Sequence, residues 1–383
     1  MSQNTTTASG PASPAQSART QHLAYMDGLR GIAILLVVAC HGAKYTMDLH
    51  QGWTYHALEE GAHGVDLFFV ISGFCLAYPI LRRRFDTDAV NFDILRFYCR
   101  RVIRIVPAYW VAFLALLVVS LVVVARGFEL PWPAVKLPPT FSNGVGQLFF
   151  LNSATNLCGS FWTLAVEFRW YLVFPIILWL YIRWPWTIYA LMAATLVVYH
   201  FLLSQIDFAT LPGFLLGIIA ADLAIRGSKI NRFALGLFVA GVLGSLWLEP
   251  KGHLDYALQN QLWWQVAAFF LVLAGVANGM VQRVLAHPWL AWVGVAAYSI
   301  YLYHDPVEAW YAFSGGQNLI LAMIAGVLAG ALGWLFVERY VMVPKTRDRL
   351  VGAIEQPLRR LARLLKWDRP RAIAPTAAPQ EES

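Results

Sequence analysis

The sequence predicts an all-α fold, a polytopic transmembrane helical bundle of about ten spans. Three observations carry this. Hydrophobic residues fill 58% of the chain and charged residues only 13%, about half the charged share usual in a soluble domain. Several stretches approach or exceed 18 largely apolar residues, the length that crosses a bilayer core. Sixteen Trp and sixteen Tyr suit aromatic belts at the two interfaces. The net charge of +7 is then mostly a topology signal, and no nucleic-acid partner is expected.

Residues 1–21 are rich in Ser, Thr, Ala, Gln and Pro with no apolar core. They predict a disordered tail and not a secretory signal peptide. The candidate spans follow at 25–45, 62–81, 107–125, 160–182, 186–204, 208–226, 232–248, 262–282, 288–311 and 318–342, with a kink expected at Pro212 and Gly213. Arg82, Arg83, Arg84, Arg96, Arg100, Arg101 and Arg104 lie between spans two and three. Basic loops stay on the cytoplasmic side, which puts both termini in the cytoplasm. Only Lys44, Arg126, Lys136 and Lys251 then fall in outer loops. Residues 126–159 form a long outer loop in which GQLFFLN could be re-entrant or interfacial. Residues 350–368 read as a basic amphipathic helix on the inner leaflet. A membrane domain over 22–345 and a tail over 346–383 complete the organisation. The four cysteines show no metal spacing, and no structural disulfide or metal site is expected.

The first span raises the chemical question. GLRGIAILLVVACHG carries Arg30 near its start and His41 near its end. Eleven residues are nearly three turns, so both side chains share a face about 16 Å apart along the axis. Ionisable residues inside a membrane helix are candidates for function, although Asp27 and Arg30 could simply pair. Asp66, at the head of the second span, needs a partner, and Arg30, Lys44 or His41 could supply one. Ser72 and the glycines of the same span read first as helix-packing residues. Arg96, Arg100, Arg101 and Arg104 alternate with aromatics. They either anchor anionic lipid or form a phosphate site, for which the guanidinium fork is suited. In FWTLAVEFRWYLVFP, Thr163, Glu167, Trp170, Tyr171 and Phe174 share a face. Glu167 could be a satisfied structural acid, orient a histidine, or act as acid or base. Tyr301, His304 and Glu308 cluster near the outer end of the ninth span, and Arg169 has no evident role.

Taken together, MDGLRGIAILLVVACH, GVDLFFVISGF, RRVIRIVPAYW, FWTLAVEFRWYLVFP and AYSIYLYHDPV resemble, in order, the motifs of the acyltransferase 3 family of bacterial integral membrane acyltransferases. The likeness covers roughly residues 22–345. Thr163 stands where the family usually has Ser, Phe168 and Trp170 where a second acid and a Phe are common, and Ala297 where Ser is common. Some relatives carry a soluble domain after the last span; the roughly forty residues remaining here predict a stand-alone transferase domain. The resemblance implies transfer of an acyl group, commonly acetyl, from cytoplasmic acyl-CoA to a hydroxyl of a sugar, glycan or glycolipid, in the bacterial inner membrane. Acyl-CoA is then a co-substrate, with no permanently bound cofactor, and membrane lipids are the remaining partners. His41 would be the base or acyl carrier and Glu167 its orienting carboxylate. Asp27, Arg30, Asp66, Ser72, Tyr171, Tyr301 and His304 form the expected substrate-contacting set, and Arg96, Arg100, Arg101 and Arg104 the phosphate-binding set. The rival reading is a transporter or flippase for an anionic substrate, for which no inverted repeat is visible. A membrane glycosyltransferase is weaker still, because the loop after the first span is poor in acids.

Overall fold

The computed structural model describes residues 14–47, 52–87, 92–128, 141–151, 157–201, 206–248 and 258–364. The described chain is helical and has no strands. Its helices are α1 (Pro14–Thr46), α2 (Trp53–Glu59), α3 (Gly64–Thr87), α4 (Ile94–Ala125), α5 (Phe141–Leu148), α6 (Trp162–Arg183), α7 (Thr187–Phe201) and α8 (Ile206–Ile225). They continue as α9 (Ala234–Leu248), α10 (Leu258–Ala277), α11 (Gly279–Leu285), α12 (Pro288–Val295), α13 (Ala297–Phe313), α14 (Leu319–Gly333), α15 (Arg339–Met342) and α16 (Pro344–Leu364).

Each expected span falls on helix in its described residues, with 202–204 of the span 186–204 outside them, but the helices divide differently. Among the described residues six are long and apolar enough to cross a bilayer, and α10 with α11 would make a seventh, bent by 103°. The bend falls at Asn278, whose side chain accepts from the backbone N–H groups of Met280 and Val281 and so caps a new helix. The expected ninth span is likewise split: Pro288 opens α12, and α13 starts at Ala297. α8 runs unbroken through Pro212. The third span starts earlier than its hydropathy suggests. Asp93 caps α4 by accepting from the Arg96 N–H, so the arginine segment is the first three turns of the same helix that carries the apolar run. Polar side chains on one face of a helix end do not interrupt its backbone hydrogen bonds, which is why hydropathy misplaced the start.

Burial sets the layers. α1 and α8 are central, with 67% and 72% of their apolar windows buried; α4 and α14 are peripheral, at 33% and 17%. The outer face of α4 exposes Leu114, Val118 and Val122, and that of α14 exposes Ile320, Ile324 and Leu328, the apolar belt that hydrocarbon demands. Two close crossings fix the centre. α3 meets α8 at Gly73 and Gly217. α1 lies backbone-to-backbone on α11 and α12: a Cβ at Gly28 would strike the Leu285 carbonyl, and one at Gly294 would strike that of Asp27.

α5 lies inside the expected long outer loop. It is held by Tyr109 Oη and Trp110 Nε1, which donate to the carbonyls of Gln147 and Leu148 at 3.0 Å each. α16 covers the predicted amphipathic stretch as far as Leu364, and residues 365–368 of that stretch lie outside the described residues. Its Val351 packs with Cys99 and Ile103 of α4.

Candidate functional site

Two adjoining cavities lie in the bundle, the inner one among α1, α3, α4, α6, α12 and α13 and the other between α3 and α4. The inner one, about 130 Å³, is lined among others by Arg30, Ser72, Arg101, Glu167, Tyr171 and Tyr301. The other, about 440 Å³, is lined by Arg83, Asp93, Arg96, Phe97, Arg100 and Arg101, with Pro79 and Phe92. Cys75, Leu76 and Arg101 belong to both walls. Helix spacing explains the basic wall. Arg96 and Arg100 repeat at i, i+4 on one face of α4, and Arg101 stands at the adjoining position of the same turn.

The arginines differ in how they are committed. Arg30 Nη1 donates to Asp27 Oδ1 at 2.6 Å and Nη2 to Cys75 Sγ at 3.3 Å. Arg104 Nη1 donates to Glu338 Oε1 at 2.7 Å. Glu338 is buried and also accepts from Ser299 at 2.6 Å, so Arg104 is held by a carboxylate rather than free for phosphate. Arg101 has no acid partner among the described residues. Its buried Nε lacks any hydrogen-bond acceptor, and its guanidinium lies 5.6 Å from the centre of the Tyr171 ring and 5.8 Å from that of Phe97.

Opposite stands a polar cluster. Ser72 Oγ donates to Glu167 Oε1 at 2.7 Å and lies 2.7 Å from Tyr171 Oη, which itself donates to Glu167. Thr163 Oγ1 donates to Tyr301 Oη at 2.7 Å, and Tyr301 donates to the Ser160 carbonyl at 2.8 Å. Thr163, Glu167 and Tyr171 recur every four residues on α6, as the sequence indicates. Ser72 is thus a partner of the cavity's carboxylate and not only a packing residue.

The expected Glu167–His41 contact is absent, because Ser72 and Tyr171 take the carboxylate. His41 instead meets His304. His41 Nδ1 is 3.0 Å from the Val37 carbonyl and 3.4 Å from His304 Nε2, with ring centres 5.0 Å apart and nearly perpendicular. His304 is fully buried, and it does not line the inner cavity that Arg30, Ser72, Tyr171 and Tyr301 of the same expected set line. Neither histidine lines either cavity; Tyr301, which lines the inner one, has its ring centre 5.6 Å from that of His304. Asp305 accepts from Tyr45 Oη at 2.7 Å and from the Ser160 N–H at 3.1 Å.

Asp66 also lies elsewhere. His63 Nδ1 is 2.7 Å from its Oδ2, and Gln265 and Gln261 donate to its Oδ1 at 2.9 and 3.2 Å. Arg30, Lys44 and His41 therefore do not supply its partner, and the three side chains that do were not distinctive in sequence. Arg169, without a role in the sequence, makes a two-pronged ion pair with Asp207 at 2.7 and 2.9 Å and donates to the Phe150 carbonyl at 3.3 Å. Sequence reasoning missed Cys75 and Asp305. Cys75 stands one turn after Ser72, the one signal that could have found it.

The structure is a multi-pass helical bundle in which a polar cavity adjoins a second cavity walled by arginines. The sequence model of the acyltransferase 3 family, described as an acyltransferase domain, matches residues 23–339, and the chain belongs to that family. It is 24% identical to the O-acetyltransferase OatA of Staphylococcus aureus over 85% of its own length and 57% of OatA, so it spans little more than half of that relative. It is 29% identical to the exopolysaccharide production protein ExoZ of Rhizobium meliloti, over 78% of this chain and 95% of ExoZ. It is 27% identical to the acyltransferase MdmB of Streptomyces mycarofaciens, over 88% of this chain and 96% of MdmB. No solved structure matches the chain.

Proposed function

We propose that the protein is a membrane O-acyltransferase that moves an acyl group, acetyl in the first instance, from acyl-CoA to a hydroxyl of a cell-envelope glycan or glycolipid. Arg101 carries the reading: a guanidinium in the wall shared by two cavities, without a carboxylate partner among the described residues, calls for an anionic ligand. Arg83, Arg96 and Arg100 extend the same charge outward, and the phosphates of CoA match it. The thioester arm then enters the inner cavity toward Ser72 and Glu167. Relatives named for O-acetyl transfer and exopolysaccharide production support the donor and acceptor classes. The basic side is cytoplasmic, where CoA is found, and both termini lie there.

His41 is the base or the acyl carrier. In direct transfer it takes the proton of the acceptor hydroxyl, whose oxygen bonds to the acyl carbon as the carbon–sulfur bond breaks; CoA leaves as thiolate and recovers a proton. In the two-step route the imidazole nitrogen bonds to the acyl carbon as the carbon–sulfur bond breaks and CoA leaves as thiolate; the acceptor oxygen then bonds to that carbon as the carbon–nitrogen bond breaks, and the hydroxyl proton goes to the thiolate. Glu167, fixed by Ser72 and Tyr171 in the cavity, favours a second reading in which it is the base itself.

Thiol release from acetyl-CoA by the purified full chain, with and without a surface-glycan extract, tests the proposal. Release that needs the extract and disappears in His41→Ala is expected. Full release in that variant, with loss in Glu167→Gln, transfers the base role to Glu167. Failure to bind any CoA thioester overturns the function and favours transport.

A further inference from the structure

His304 is buried, and both of its ring nitrogens are accounted for. Nδ1 lies 3.0 Å from the carbonyl oxygens of Ile300 and of Tyr301. Carbonyl oxygens only accept, so Nδ1 must carry a hydrogen, and the neutral ring keeps its lone pair on Nε2. That lone pair is 3.4 Å from His41 Nδ1. His41 Nδ1 also faces the Val37 carbonyl at 3.0 Å, so two acceptors converge on it and it too must carry a hydrogen. The unprotonated nitrogen of His41 is therefore Nε2.

We propose that His304 is a positioning residue for the reacting histidine: its Nε2, fixed as an acceptor by the α13 backbone, backs the Nδ1–H of His41 and leaves Nε2 of His41 to meet the substrate. The carboxylate of a triad is replaced here by a second imidazole. Asp305 completes the arrangement. It is held by Tyr45 and Ser160 and interacts electrostatically with both rings, so it offsets the positive charge that appears when His41 accepts a proton. Helix geometry contributes as well. The His304 ring reaches back with Nδ1 to the carbonyl four residues earlier on α13, and its second nitrogen is the one that meets α1, at His41 Nδ1.

The inference rests on His41 as the reacting group, and two measurements separate its failure from a failure of that reading. The first needs no activity. In full-length protein labelled with 15N-histidine, with His41 and His304 assigned by loss of signal in His41→Ala and His304→Gln, both rings are expected to be protonated at Nδ1 and bare at Nε2. A hydrogen on Nε2 of either ring overturns the proposal whatever the protein catalyses. The second is kinetic. His304→Gln keeps an acceptor near the Nε2 position, whereas His304→Met fills the space without one. The Met variant is expected to lose at least tenfold in kcat with KM for acetyl-CoA unchanged, and the Gln variant to recover most of that loss. Equal losses in both variants, or an unchanged kcat in the Met variant, would sink it.

Discussion

Arg101 and Arg104 are three residues apart on one helix, yet the structure gives them different work. Arg101 faces two cavities without an acid among the described residues; Arg104 neutralises a buried Glu338. Arg101→Ala is expected to weaken CoA binding about tenfold or more, since a charge-assisted hydrogen bond contributes roughly 1.5–3 kcal/mol; calorimetry on the purified chain reads this directly, and unchanged affinity would return Arg101 to lipid anchoring. Arg104→Ala should instead cost stability, about 3 kcal/mol for a buried carboxylate left unpaired. A thermal shift larger than that of Arg100→Ala checks the assignment. Sequence spacing could place both arginines on the same helix but could not separate them, because Glu338 lies 234 residues away. The pairing of His41 with His304 was hidden for the same reason. Glu167, by contrast, was legible as an acid among Thr163 and Tyr171, because those neighbours are four residues away on its own helix; the structure leaves it half-buried.

At the scale of the element, helices announced by apolar runs were readable and their breaks were not. Hydropathy cannot see the 103° turn at Asn278, because the flanking residues on both sides are apolar; the turn is made by one side chain capping two N–H groups. Nor can it see that α4 starts at Ile94, since three turns of arginine-rich helix look like a loop on a hydropathy scale. The contact between α1 and α12 makes a sharp test. Gly294→Ala places a methyl group against the Asp27 carbonyl, where overpacking costs about 1–3 kcal/mol or more. A lower melting temperature in detergent is expected, with reduced CoA binding, whereas Gly279→Ala, which has open space around it, should change neither.

The whole molecule is polar in one direction. The arginine wall gathers at one end of α3 and α4, while His41 stands about three turns along α1 from Arg30. The proposed topology, drawn from the Lys/Arg asymmetry of the loops, puts that wall in the cytoplasm. Impermeant maleimide should therefore label Arg360→Cys on exposed α16 only in inside-out vesicles, and Trp53→Cys, 80% exposed on α2, only from the opposite face. The same face for both would overturn the topology. The family and the all-helical class were legible in five motifs taken in order. The division into two joined cavities was not, because the inner wall is assembled from six helices at once and no single stretch records what it leaves unfilled.

The glycine contacts of α1 have a consequence for how the protein can change. Where main chain rests on main chain at Gly28 and Gly294, no side chain acts as a cushion whose replacement could shift the helix. Asp27 and Arg30 sit within that stretch, so peptide geometry fixes where their backbones stand, and the Asp27 and Cys75 side chains then hold the guanidinium. Substitutions elsewhere in the bundle can alter its volume and shape and leave this charge where it is. The Arg30 end of the site is in that sense an origin of coordinates, and the rest can diverge around it.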